Sequence, residues 1–148
     1  MPGPAFLEPN VAVCGQIKPS DIVDIAQRGF RAIVNNRPDG EAWIGQPSAA
    51  GLDEAAAAAG IQCHHITFTM PTLKADDARR LEAAIAQASG PVLIFCASGF
   101  RSALLWAIMR ASQGMPIDEL LKSAAAAGQP LDKHRATIER LAAEVRAR

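Results

Sequence analysis

No charge of either sign prevails in this chain: 15 Lys and Arg balance 15 Asp and Glu over 148 residues. That balance leaves no basic stripe for nucleic acid and no cationic face for a membrane surface. No apolar run approaches the roughly 20 residues needed to cross a bilayer. The N-terminal Met1-Pro2-Gly3-Pro4-Ala5 lacks the basic start and apolar centre of a secretory leader. There is no CxxC pair. The three cysteines, Cys14, Cys63 and Cys96, are an odd number, which suits free thiols in a reduced, cytoplasmic setting. Internal repeats are absent, and the alanine-rich stretches 55–59 and 124–127 read as helix filler. The length predicts one domain, residues 1–148, with enough chain for a core that needs no staples.

What is present alternates between short strands and helices. Val11-Ala12-Val13 reads as a strand closed by Cys14-Gly15, and Ala32-Ile33-Val34 as a second. Between them Pro19 and the candidate N-cap Ser20 open a helix, with Asp21 and Asp24 at its positive end and Gly29 as its stop. Residues 48–59 form a further helix ended by Gly60, residues 61–68 a third strand, and Thr72 caps a helix to about Ala88. The apolar run 91–95 does not alternate, the mark of a central strand covered on both faces. The helix after Arg101 is apolar nearly all round, with Trp106 in it, and belongs inside. Pro116 opens another helix, and Ile138, Leu141, Ala142 and Val145 stripe the last. The expected architecture is α/β: a three-layer sandwich, a mostly parallel sheet of four to five strands with helices on both faces.

The densest chemistry lies where that central strand ends, at Cys96-Ala97-Ser98-Gly99-Phe100-Arg101-Ser102. Strand, tight loop and helix follow one another. A free thiol titrates near 8.5, and a helix N-terminus with a nearby cation lowers it to about 3.5–7.5. Cys96 has both influences, so a thiolate at neutral pH is expected. Gly99 permits the turn that directs the N–H groups of Ala97, Ser98, Gly99 and Phe100 inward as an anion nest. Arg101 grips two oxygens with its planar fork, and Ser102 is placed to donate to the sulfur. Cys14 and Cys63 read as buried structural thiols. The run Cys63-His64-His65 invites a metal, but strand neighbours face opposite ways and no second Cys/His cluster adds ligands, so neither metal nor cofactor is expected.

This loop resembles those of two families. Cysteine-dependent tyrosine and dual-specificity phosphatases normally place one more residue between Cys and Arg, with His before the Cys where this chain has Phe95. Rhodanese-type sulfurtransferases commonly have the shorter spacing seen here, often with the same Ser-Gly and a Ser after the Arg. The flanks narrow the match. Val13-Cys14-Gly15-Gln16-Ile17, Asp21-Ile22, Gly29-Phe30-Arg31, Asn35-Asn36-Arg37-Pro38-Asp39-Gly40-Glu41 and Gly45-Gln46-Pro47 resemble the bacterial beta-lactamase-hydrolase-like, phosphatase-like domain family, also called DUF442. The resemblance covers about residues 6–112 and includes the shorter loop. It implies a dual-specificity-phosphatase-like fold. Some members are fused to metallo-hydrolase domains linked to sulfide metabolism, for which these residues leave no room.

A phosphatase of this kind normally has a general acid, usually an Asp on the loop after the preceding strand. Here that loop, residues 67–72, holds none. Asp76 and Asp77 read as partners of a helix dipole. Arg37, Asp39 and Glu41 follow a parallel strand, beyond whose carboxyl end ligands bind, and could reach the pocket. Alternatively Pro38-Asp39-Gly40 only turns the chain. Trp43 is a candidate pocket wall. The sequence therefore predicts Cys96, Arg101, Ser102 and Asp39 as the catalytic set, with Arg37 and the loop residues 97–101 binding the anion. Three readings follow: a phosphomonoester hydrolase working through a phosphocysteine, a sulfurtransferase using a Cys96 persulfide, or a non-catalytic anion-binding or redox module. The partner is a small anionic substrate or a phosphoprotein, not nucleic acid or membrane, with the oligomeric state open.

Overall fold

A computed structural model describes residues 3–147. Met1 and Pro2 of the N-terminal stretch discussed above lie outside the described residues. Five strands form one sheet: β1 (Ala5–Glu8), β2 (Val11–Cys14), β3 (Ala32–Asn35), β4 (Gln62–His65) and β5 (Val92–Phe95), in the order β1-β2-β5-β3-β4. Only β1 runs antiparallel to its neighbour. The expected mostly parallel sheet is therefore present, with β5 at its centre.

The helices are α1 (Ile22–Gln27), α2 (Ala49–Ala59), α3 (Ala75–Gln87), α4 (Phe100–Ser112), α5 (Ile117–Ala126) and α6 (Arg135–Arg146). Alternation along β5 sorts them into layers. Val92 and Ile94 face one way, into a core with Leu81 of α3, Trp106 of α4 and Ile138 of α6. Leu93 and Phe95 face the other, against Ile22 and Ile25 of α1 and Leu52 and Ala56 of α2. Helices thus cover both faces, and β5 is buried on each. The helix α4 is interior as expected, buried at nine of its positions. Among the described residues no helix is long and apolar enough to cross a membrane.

Local chemistry corrects several boundaries. The strand β1 escapes sequence reading because it is a four-residue edge piece between Pro4 and Pro9 with Phe6 turned outward. Ser20 is not a cap: it lies inside a 3-10 turn, Pro19–Asp21, closed by the Asp21 carboxylate accepting from Lys18 N–H at 2.8 Å. Thr72 likewise closes a turn, accepting from Thr69 N–H at 2.8 Å, and α3 starts later, where Asp77 accepts from Lys74 N–H at 3.0 Å. The third strand is shorter than residues 61–68, although Ile66 and Phe68 still donate to the carbonyls of Asn35 and Asn36. Ser48 and Gly60 do cap α2, the serine accepting from Gly51 N–H at 3.1 Å and the glycine left-handed at φ 74°.

Candidate functional site

The carboxyl ends of β2, β5 and β3 lie side by side, with Cys14 in register with Phe95 and Asn35 in register with Phe95 from the other side. Three loops therefore converge, and Cys96 starts the middle one. Its side chain is buried. The two peptides after it are tied from behind. Ala97 carbonyl accepts from Gln16 N–H at 3.2 Å, and Ser98 carbonyl accepts from the Gln129 side-chain amide at 3.0 Å. A peptide's N–H points opposite to its carbonyl, so the N–H groups of Ser98 and Gly99 are turned the other way. Gly99 N–H donates to Cys96 Sγ at 3.1 Å, which puts the sulfur at the focus of that nest.

Two glycines make the arrangement possible. Gly99 adopts φ 95° at the head of α4, and a Cβ there would meet Gln129 Nε2 at 2.7 Å. A Cβ on Gly15 would come within 3.0 Å of Ala97 carbonyl oxygen, so a side chain there would push the β2 exit away from the loop.

Arg101 has five N–H donors. Nη1 donates to Glu41 Oε2 at 2.8 Å and to Phe68 carbonyl at 3.1 Å, and Nη2 donates to Glu41 Oε1 at 2.6 Å. Glu41 and Phe68 use neither Nε–H nor the second Nη2 hydrogen, the pair that forms a side-on fork on the side of the Cys96 sulfur. The Glu41 hydrogen bond is the largest influence holding the guanidinium's pKa above its ordinary value, and the Cys96 sulfur adds to it. Reciprocally, the Arg101 hydrogen bond, with the Arg37 hydrogen bond adding to it, holds the Glu41 carboxyl below the usual carboxylate range, against burial, whose opposing effect is second in size to that of Arg101. Arg37 bonds Glu41 Oε1 at 3.0 Å and Gln16 Oε1 at 2.9 Å.

Thus Cys96, Arg101, Arg37 and the 97–100 backbone come together. Two of the predicted site residues take other partners. Ser102 donates to Asn36 Oδ1 at 2.8 Å rather than to sulfur, and Asn36 in turn donates to Ile66 carbonyl at 2.9 Å. Both residues are fully buried, so this is a packed link between α4 and the β3 exit. Asp39 Oδ1 accepts from Ala49 N–H at 2.8 Å, a cap on α2. The carboxylate that does reach Arg101 is Glu41, two residues on. Gln129 was missed altogether, because nothing in a lone glutamine between two helices marks it as a loop brace. Trp43 is not a wall: it stands 96% exposed at the tip of its loop.

The metal question also changes. Cys63 and His65 are two apart on β4, share a face, and meet Asp53 of α2, so that one ligand atom from each lies within 4.8 Å of the others. His64 points elsewhere, towards Gln62 Oε1 at 3.2 Å, and burial lowers its pKa. The hydrogen bonds nonetheless assign the proton on His65. Asn35 Oδ1 accepts from Arg37 N–H at 2.8 Å, which fixes the amide, so its Nδ2 donates to His65 Nδ1 at 3.1 Å. His65 Nε2 then carries the hydrogen and donates to Asp53 Oδ1 at 2.7 Å. A cation on Nε2 would need that proton moved to Nδ1, against the Asn35 amide. Cys63 is equally unsuited, its thiol pushed up to about 12 by burial and by Asp53.

Comparison with known proteins agrees with the fold. Residues 5–113 match the family described as beta-lactamase hydrolase-like protein, phosphatase-like domain. A beta-lactamase hydrolase-like protein of Agrobacterium fabrum is 34% identical over 105 residues, which are 71% of this chain and 24% of that protein. The chain therefore spans about a quarter of that relative's length. Among solved structures, a protein of Neisseria meningitidis Z2491 named as a candidate phosphatase is 34% identical, with a TM-score of 0.82 over 93% of this chain and 96% of that one. Kinase associated phosphatase, solved with serine replacing its catalytic-site cysteine, shares the fold at 14% identity, with a TM-score of 0.75 over 100% and 97% of the two chains.

Proposed function

The chain belongs to the phosphatase-like domain family of beta-lactamase hydrolase-like proteins, and from that premise we propose that it is a cysteine-dependent phosphomonoester hydrolase. One observation carries the reading: the Cys96 sulfur lies under inward N–H groups with the Arg101 fork beside it. The phosphoryl group enters this nest, and Arg101 and the loop amides hold its equatorial oxygens, donors already aimed where charge develops. The Cys96 thiolate attacks phosphorus. An S–P bond forms, the P–O bond to the leaving group breaks, and its electron pair departs on that oxygen, which takes a proton from water. Water then attacks the phosphocysteine, the S–P bond breaks and the thiolate leaves with its pair; phosphate departs with the water's oxygen and one of its protons, and the other proton neutralises the hydroxide left by the first step. Glu41 positions Arg101 throughout, since it occupies the end-on donors and leaves the side-on pair for substrate. A reducing, cytoplasmic setting belongs to this proposal, in keeping with three unpaired cysteines.

Sulfur transfer through a Cys96 persulfide is the second reading. The four-residue spacing and the engaged state of the nearby carboxylates favour it, because that chemistry needs no leaving-group acid. One pair of assays separates the two: hydrolysis of an aryl phosphate, and transfer of sulfur from thiosulfate to cyanide, each with wild type and Cys96→Ser. The expected result is phosphate release that vanishes in the variant. Cys96-dependent sulfur transfer without phosphate release would reverse the assignment, and neither activity would leave an anion-binding or redox module.

A further inference from the structure

The groups gathered at the Cys96 sulfur come from separate segments. Cys96 follows β5, the Gly99 N–H and the Arg101 guanidinium belong to the head of α4, and one acceptor of that guanidinium, the Phe68 carbonyl, lies on the chain leaving β4. One residue is bonded to all three segments. Asn36, the first residue beyond β3, donates its backbone N–H to Phe95 carbonyl at 2.9 Å and accepts at its own carbonyl from Phe68 N–H at 3.2 Å. Its side chain donates through Nδ2 to Ile66 carbonyl at 2.9 Å and accepts through Oδ1 from the Ser102 hydroxyl at 2.8 Å. Phe95 precedes the nucleophile, Ser102 follows the clamp, and Phe68 offers the carbonyl to which Arg101 donates.

Asn36 and Ser102 are each 0% exposed. Packing alone does not call for polar side chains there, because a buried hydrogen-bonded pair replaced by apolar groups of the same shape can leave stability nearly unchanged. What apolar packing lacks is direction. A buried hydroxyl that must reach one amide oxygen fixes the rotation and the height of the helix that carries it, since either partner left unpaired is costly. The neighbouring Asn35 does a different job. It donates to His65 and accepts from Arg37 N–H, and so ties β3 outward to the edge strand.

We propose that Asn36 is a positioning residue for the nucleophile. Through Phe95 and Ser102 it sets the distance between the Cys96 sulfur and the head of α4, and through Phe68 it seats Arg101. It acts through these residues and not on the substrate. An error of about 1 Å in that distance costs roughly a hundredfold in rate, because attack needs the sulfur, the N–H groups and the guanidinium aligned at once. The kinetic part of this proposal rests on the hydrolase reading above. The geometry it concerns is that of the sulfur in any reaction of Cys96.

The test compares Asn36→Leu, Ser102→Ala and the double variant with wild type in steady-state hydrolysis of an aryl phosphate. Each single variant is expected to lose about a hundredfold in kcat. KM should stay within about threefold, the mark of an interaction needed in the transition state more than for entry. The double variant should be no slower than the slower single one, because both changes remove the same link. Losses that multiply, or that fall on KM with kcat kept, would overturn the proposal. A larger loss in Ser102→Ala than in Asn36→Leu would assign the hydroxyl a direct role at the sulfur and overturn it as well. Iodoacetamide, with the modified residue identified by mass spectrometry, probes the same geometry without phosphorus. Alkylation of Cys96 at neutral pH should slow about tenfold in each variant, and an unchanged rate in both would refute the link. If Asn36→Leu does not fold, Ser102→Ala, which removes a single oxygen, carries both measurements. Wild type that releases no phosphate, while the variants slow alkylation as expected, would overturn the hydrolase reading and leave the positioning of Cys96 by Asn36 in place.

Discussion

Cys96, just past one parallel strand, and Cys63, within another, are both thiols with a charged side chain close by, and their surroundings differ in sign. Cys96 follows the central strand, receives an N–H from Gly99, and lies against the Arg101 guanidinium. Cys63 sits on the edge strand beside the Asp53 carboxylate, and burial and that carboxylate together push its thiol up to about 12. A negative neighbour makes a cysteine inert, whereas a positive neighbour and converging N–H groups stabilise the charge a nucleophile must carry. Nearness of a titratable partner says little until the partner's sign is known.

The comparison is broken most severely through Arg101. Arg101→Lys replaces the two-pronged clamp by a point charge that can satisfy neither Glu41 nor an equatorial oxygen pair as the guanidinium does. We expect aryl phosphatase activity to fall by about a hundredfold or more, while Asp53→Asn, the equivalent change at the other thiol, should leave it within about twofold in the same steady-state assay. Retention of full activity by Arg101→Lys would remove the clamp from the mechanism.

Glu41→Gln is the next largest. The neutral amide holds Arg101 less firmly, and kcat/KM should drop about tenfold, chiefly through kcat if the arginine acts in the transition state. The sign of the pH dependence follows from the lowered carboxyl. The ion pair is complete at neutral pH and is lost only as pH falls below the ordinary carboxylate range towards the depressed value. Pre-steady-state profiles of wild type should therefore approach those of the variant in acid, not between pH 6 and 8.

Alkaline stability sharpens the contrast from the side of the inert thiols. Cys14 is pushed up to about 12, mainly by burial and then by Cys96, and Cys63 is raised as far, each from an ordinary 9.0. The unfolded chain gives up these protons near the ordinary value and the folded chain keeps them, so their contribution is intact below it and lost as pH rises through about 12. No tyrosine titrates in that window to mask the effect. The melting temperature should decline across it, and less steeply in Asp53→Asn, where one influence on Cys63 is gone. An unchanged slope would show that the carboxylate does not act on that thiol.

Gln129→Ala should have the smallest effect. It removes one hydrogen bond behind the loop, about 0.5–1.5 kcal/mol, with an activity loss of a few fold and a stability loss of that order by chemical denaturation. Gly99→Ala, by contrast, forces a Cβ into both a left-handed backbone and Gln129. The alanine variant should recover some activity when Gln129 is also shortened.

Much of this was legible in the residues because it is local. The run 92–95 announces a central strand, Ser48 and Gly60 announce the ends of α2, and the loop Cys96–Arg101 shows its chemistry in its own spacing. What stayed hidden depends on how separate segments meet. Asp39 and Glu41 are equivalent carboxylates on paper, and a left-handed turn at Gly40 lies between the one bound to α2 and the one bound to Arg101. Ser102 reads as a partner for sulfur until Asn36 arrives from β3 with a better acceptor. The Asp53–Cys63–His65 cluster needs α2 folded over β4, and its proton arrangement needs Asn35 from a further strand. Other misses are local: the strand β1 is short and lies between two prolines, and Ser20 and Thr72 belong to 3-10 turns rather than to the helix starts expected of them.

The contact between Gln129 and the loop bears on modularity. The segment shared with the family ends at residue 113, yet the amide that holds Ser98 carbonyl comes from beyond it, and so does His134, whose ring lies 5.0 Å from that of Phe100 at the head of α4. Relatives that continue differently after α4 must brace the same loop with other groups or leave its carbonyl to water. Grafting the shared segment onto a foreign C-terminus would carry over the nucleophile and the clamp without the part that keeps the nest in shape.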